Sequence, residues 1–274
     1  MLRRHRSALP ILLVTGLYGA ALTVAAVVAL ISGDLGPLWW LTLFATVTEG
    51  VAATGQNVLL LVLAGLSWAW GIWQILRGPP AGPPPQQDRN TLRLRVALYV
   101  ATATSWLLYL TASSIWAVAS VIDSAAMWVV VLLFMRVLGR DRPYTRGAGV
   151  LGYGGFTVIG VLDLVGSSGL GGAESICGLA ALAWTVLVLR AQRHDDRWGT
   201  ATVAYGIAAL VASIFLGLAA LPFPDEGSAV EALGVVPSVL MMIWLARSAH
   251  DLAAPRHQPA AQAASGLCEK ILMK

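Results

Sequence analysis

The sequence predicts an all-α fold, a polytopic transmembrane helix bundle with 8 spans, and three observations carry that prediction. First, 57% of the 274 residues are hydrophobic and only 12% are charged, where a soluble domain has roughly 45–50% and about 25%. With so little polar surface, lipid must be the solvent for most of the outside. Second, the apolar residues gather in runs of about 20, the length that crosses roughly 30 Å of hydrocarbon at about 1.5 Å per residue. Third, one threading of those runs places all 18 Lys and Arg on the same side, as the positive-inside bias requires.

The runs are 9–32, 57–77, 95–116, 119–138, 147–166, 173–190, 200–220 and 229–247. The first follows Met1-Leu-Arg-Arg-His-Arg, which resembles a signal-peptide start. It is longer than a signal peptide's apolar core and no small-residue cleavage site closes it, so it reads as a retained helix. The second and third flank Gly78-Pro-Pro-Ala-Gly-Pro-Pro-Pro-Gln-Gln87, within the cytoplasmic loop 78–94; such a sequence favours an extended polyproline spacer. The fourth and fifth enclose the basic turn 139–146, and the sixth and seventh enclose Arg190, Arg193 and Arg197. The eighth contains Pro237, expected to kink it and free a carbonyl. The tail 253–274, rich in Ala, Pro and Gln, is expected to be disordered in the cytoplasm.

One further apolar stretch, 37–54, needs a decision. As a ninth span with the N-terminus inside, it would leave only Arg3, Arg4 and Arg6 in the cytoplasm. Starting outside with nine spans leaves 3 of 18 basic residues outside. Eight spans leave none, so 37–54 is predicted as an interfacial or re-entrant helix on the outer face, with Trp39 and Trp40 at headgroup depth. A faint internal repeat agrees. Leu17…Thr23-Val24…Val27 aligns with Leu151…Thr157-Val158…Val161, and Gly65-Leu66…Leu76-Arg77 with Gly178-Leu179…Leu189-Arg190. The expected organisation is one transmembrane domain over 1–252, with parallel four-helix halves 1–140 and 141–252. Its expected location is the plasma (inner) membrane, multi-pass, with both termini cytoplasmic.

Several functions are set aside by composition. The net charge of +4 comes from scattered clusters and not a basic face, which argues against nucleic acid. Cys177 and Cys268 form neither a disulfide framework nor a metal spacing. His5, His194, His250 and His257 all fall in cytoplasmic segments, so no pair faces another across the membrane as a haem would need. No nucleotide loop, zinc signature or nucleophile elbow is present. No cofactor and no metal are expected.

The acids are more informative. The threading puts Asp34, Glu49, Asp123, Asp163, Glu174, Asp225, Glu226 and Glu231 in the outer half, giving net −8 there and +12 in the cytoplasm. An acidic rim gathers cations or basic ligands. Glu174, Glu231 and Asp123 lie near the starts of helices running inward, where a carboxylate suits the positive end of the helix dipole, so capping is their expected role. Asp163 and Glu49 resist that account. Asp163 nears the end of an outward-running helix, against the dipole, and Glu49 has no basic neighbour in sequence. A carboxylate in hydrocarbon marks a site unless headgroup water reaches it, so these two are the catalytic candidates. Trp106, about 11 residues into its run, is either a cavity wall or a packing residue. The binding candidates are Glu49, Asp123, Asp163, Glu174 and Trp106. Glycines crowd the fifth run (Gly147, Gly149, Gly152, Gly154, Gly155 and Gly160), and Gly16, Gly19 and Ala20 crowd the first; both are expected to mark close helix contacts.

The function is therefore expected to be small-molecule or ion binding or transport, or that of a non-catalytic subunit of a membrane complex. The alternative is an intramembrane enzyme acting on a lipid or isoprenoid, with Glu49 or Asp163 as acid or base. Expected partners are the lipid bilayer, a small lipophilic or cationic ligand and a membrane-complex partner, but not nucleic acid.

Overall fold

A computed structural model of the protein describes residues 8–42, 53–78, 88–111, 115–139, 143–167, 171–220 and 234–254. All regular structure among them is helical, the arrangement that satisfies backbone N–H and C=O groups without water. In chain order the helices are α1 (Ala8–Ser32), the short α2 (Gly36–Leu41), α3 (Gly55–Leu76), α4 (Arg89–Leu110) and α5 (Trp116–Leu138). There follow α6 (Pro143–Gly149), a π-helical turn (Val150–Gly154) and α7 (Gly155–Leu164), then α8 (Gly171–Arg193), α9 (Thr200–Ala220) and α10 (Val235–Ala253).

Five helices are long and apolar enough to cross a membrane: α1, α3, α5, the continuous stretch Pro143–Leu164, and α8. The protein thus has the character of a helical membrane bundle. In α4 the apolar stretch is shortened by Arg89, Arg93 and Arg95 in its first two turns, and in α10 by Arg247, His250 and Asp251 in its last two. The described part of α9 is apolar over Thr200–Leu216.

Three packing clusters hold the helices together. At one side, Leu22 and Ala29 of α1, Leu38 and Trp39 of α2 and Leu61 of α3 are buried together. In the middle, Trp68 of α3 packs with Val239, Met242 and Ile243 of α10, and with Trp106 and Tyr109 of α4 at ring separations of 4.7 and 5.2 Å. The largest cluster joins α4, α5, α8, α9 and α10 around Phe134, Trp184 and Trp244, with Trp198 from the α8–α9 turn. Phe134 stacks on Trp244 at 6.3 Å and meets Trp184 edge-on at 6.0 Å, geometries that suit the aromatic quadrupole.

A polar network ties the Arg-bearing end. Gln192 is fully buried, accepts from Trp244 Nε1 at 2.9 Å and donates to Ser248 Oγ at 3.2 Å. Arg247 donates to Gln74 Oε1 at 2.9 Å and lies over the Tyr205 ring. Asp251 accepts from the Gly199 N–H at 2.8 Å and from the Thr202 hydroxyl at 2.6 Å. Together these bonds fasten α10 to α3, α8 and α9.

Several local expectations are corrected. Of the segment 37–54, the described residues are 37–42, which belong to or follow the short α2 packed between α1 and α3, and 53–54, which lead into α3. Tyr18 Oη donates to the Leu41 carbonyl at 2.6 Å and Trp68 Nε1 to the Thr42 carbonyl at 2.9 Å. Trp40 is 78% exposed, as an aromatic belt residue would be, but Trp39 is 2% exposed and belongs to the protein interior. Pro237 does not interrupt α10. It is the third residue of that helix, where the N–H it lacks would have no intrahelical partner. The glycines divide. A Cβ at Gly152 would fall 2.6 Å from the Ala181 backbone nitrogen, and one at Gly160 would fall 2.8 Å from a Val121 methyl; these are true close approaches. Gly16, Gly19 and Gly147 have nothing within 4 Å of such a Cβ among the described residues. Glu49, Glu231, most of the Pro-rich loop and the tail from Pro255 onward lie outside the described residues.

Candidate functional site

A cavity of about 270 Å³ opens between α4, α5, the π turn, α9 and α10. Each helix contributes one face, as a period of 3.6 residues dictates. From α4 come Ser105, Leu108 and Tyr109, and from α5 Asp123 and, one turn on, Met127. The π turn supplies Tyr153 and α9 supplies Ser213. From α10 come Pro237 and Ser238, then Met241 and Met242, then Leu245. The π turn inserts an extra residue per turn and so rotates Tyr153 relative to a regular helix, and such bulges are frequent at functional sites.

Asp123 is the one carboxylate among the residues lining this cavity. It was expected to cap its helix, but α5 starts at Trp116 and has no acidic residue in its first turn. Seven residues separate Asp123 from that start, two turns too deep for the dipole end to reach it. What holds it is α4. Ser105 Oγ donates to Asp123 Oδ1 at 2.7 Å, and Thr104 Oγ1 lies 3.0 Å from the same oxygen. Thr104 Oγ1 is also 3.0 Å from the Ala101 carbonyl, so its single proton is shared between two acceptors. Among the described residues, Asp123 Oδ2 has no hydrogen-bond partner and no basic side chain pairs with the carboxyl. Tyr109 of α4 and Ser238 of α10 both line the mouth between those helices.

No known protein family, curated protein or solved structure matches this chain. The site must therefore be read from its own chemistry.

Of the described catalytic and binding candidates, Asp123 alone lines the cavity. Trp106 stands one layer behind it, packed on Trp68 beside Tyr109. Asp163 is exposed in the last turn of α7, and Glu174 is exposed in the first turn of α8, where the helix dipole favours it. Glu49 falls outside the described residues. The serines and tyrosines of the wall were not foreseen. The signal that would have found them is the hydroxyl-rich run Thr102-Ala-Thr-Ser105, which faces Asp123 once α4 and α5 are paired. A second missed group is the aromatic core of Phe134, Trp184 and Trp244, which holds α5, α8 and α10 together below the cavity.

Proposed function

We propose that this is an eight-span plasma (inner) membrane protein, with both termini cytoplasmic, that binds a small solute in the Asp123 cavity for transport or sensing. The observation that carries the reading is the carboxylate itself. A group with one free oxygen and no basic partner among the described residues, set between membrane helices, is costly unless a ligand or water meets it. A concave site with an apolar wall and a few convergent polar groups is the usual form of a small-molecule site.

The threading is supported by the distribution of Lys and Arg and by a described helix that overlaps each predicted run. The four-plus-four repeat is supported by pairing. In the first half α1 packs on α3 and α4 on α5; in the second, α6 and α7 pack on α8 and α9 on α10. In this threading Asp123 lies seven residues from the outer end of α5, a depth of about 10 Å at 1.5 Å per residue. The cavity then faces the outer side.

The test is a thermal-stability screen of the purified full-length protein against inorganic cations, water-soluble organic solutes and isoprenoids. Stabilisation by a soluble solute, lost when Ser213→Leu fills the cavity, is the expected result. Ser213 donates only to the Ala209 carbonyl one turn back, so the substitution strands no polar partner. Stabilisation by isoprenoids alone would replace this reading with the intramembrane-enzyme one, and no hit at all would leave the subunit reading standing in its place.

A further inference from the structure

We infer that the solute is a monovalent organic ammonium of up to about nine non-hydrogen atoms, carrying its charge at one end of an apolar body; this rests on the binding reading above. Three properties of the cavity lead there.

The first is charge. One carboxylate, with Oδ1 engaged by Ser105 and Thr104 and Oδ2 without a partner among the described residues, calls for a single positive charge with N–H donors. A charge-assisted N–H···O bond is roughly twice as strong as a neutral one, and more so away from water. The remaining ammonium protons find acceptors in the hydroxyls of Ser213, Ser238 and Tyr109, each of which offers lone pairs.

The second is size. At about 30 Å³ of liquid volume per water-sized group, an open cavity of about 270 Å³ has room for up to about nine such groups. A bare inorganic ion would occupy one of them. A divalent ion would also need six or more oxygen ligands, usually with several carboxylates, where this cavity has one.

The third is the grading of the wall. In the proposed threading α5 and α10 both run inward. One turn beyond Asp123 stands Met127, and beyond Ser238 stand Met241, Met242 and then Leu245. Along α5 and α10, Asp123 and Ser238 therefore lie toward the outer mouth, with Met127, Met241, Met242 and Leu245 below them. Thioethers are polarisable and adapt to irregular apolar shapes. Such a floor suits hydrocarbon and would only desolvate an ion.

The experiment is isothermal titration of the full-length protein in detergent, with protein-free micelle blanks. The probes are 2-phenylethylamine and octylamine, against 2-phenylethanol and sodium chloride. The amines are expected to bind at least about tenfold more tightly than the alcohol of matching size, and Asp123→Asn to bring them down to the alcohol's level. Should Asp123→Asn fail to fold, Ser213→Leu serves as the second variant: it keeps the carboxylate, and both amine and alcohol binding are expected to disappear. Equal binding of amine and alcohol would overturn the ammonium assignment and leave a solute site standing. Sodium binding without amine binding would overturn it in favour of an inorganic ion. If the amines, the alcohol and the wider solute screen all fail, the binding reading falls with it.

Discussion

A methyl group at Gly152 has nowhere to go. The residue sits in the π turn where α6 and α7 meet α8, and a Cβ built there would lie 2.6 Å from the Ala181 backbone nitrogen and 2.8 Å from its Cα. Nonbonded carbon atoms settle at about 3.5–4.0 Å, so the overlap is about 1 Å. Because the obstacle is backbone, no rotamer change relieves it; the two helices must separate along the seam. That seam also holds Gly149 beneath Trp184 and Gly155 beside Cys177, so a separation at Gly152 loosens contacts on both sides. Overpacking typically costs about 1–3 kcal/mol, and the better helix propensity of Ala returns up to about 1 kcal/mol. We therefore expect Gly152→Ala to destabilise the protein by about 1–2 kcal/mol, read as a lowered midpoint of unfolding in detergent by tryptophan fluorescence. Gly147→Ala is the control. It lies on the same stretch with nothing within 4 Å and is expected to be neutral or slightly stabilising. Equal stability of Gly152→Ala and wild type, or an equal loss in both variants, would refute the reasoning.

Three further outcomes are expected. His250, in the last turn of α10, is buried against the Tyr99 ring, with Arg247 and Asp251 on its own helix and Arg95 beside Tyr99; burial, aided by Arg247, pushes its pKa down to about 4. The unfolded chain takes up this proton near pH 6.5 and the folded one only near pH 4, so stability should fall as pH drops through that window. The loss is at most about 3 kcal/mol, and it should shrink in His250→Gln when unfolding midpoints are compared across pH. Trp68→Phe removes the donor to the Thr42 carbonyl and part of a fully buried ring, so it should lower the unfolding midpoint by the equivalent of about 1–3 kcal/mol. A cysteine at Ala81, in a background lacking Cys177 and Cys268, should resist an impermeant thiol reagent added from outside; labelling there would overturn the topology.

The character of a helical membrane bundle was legible because the bilayer simplifies the code. A span is a run of apolar residues, and Arg clusters such as Arg190, Arg193 and Arg197 punctuate the chain where a helix ends. Which face each helix turns inward was not legible. Lipid and protein interior are equally apolar, so Trp39 and Trp40 look alike in sequence, and only packing against Leu22 and Leu61 buries the first. The same ambiguity covers Gly16 and Gly19, small residues with nothing within 4 Å of an added Cβ among the described residues. Helix starts mattered most for the site. With α5 beginning near residue 119, Asp123 would sit at the dipole; its start at Trp116 leaves the carboxylate two turns into the helix and makes it a cavity residue. The partners on α4 and α10 could not be read from sequence, because which helices adjoin is a property of the tertiary arrangement. Asp163, the acid that sequence made most conspicuous among those described, is exposed and stands apart from the cavity.

The central claim is that Asp123 faces an aqueous cavity reached from the outer side. Its most direct test is Asp123→Cys, with Cys177 and Cys268 replaced, treated in intact cells with an impermeant cationic thiol reagent. Asp34→Cys, at an exposed position before α2, serves as the control for outer access. The account predicts labelling at both positions, with labelling at 123 alone suppressed when Ser213→Leu is added. Labelling at 34 with none at 123 would contradict it.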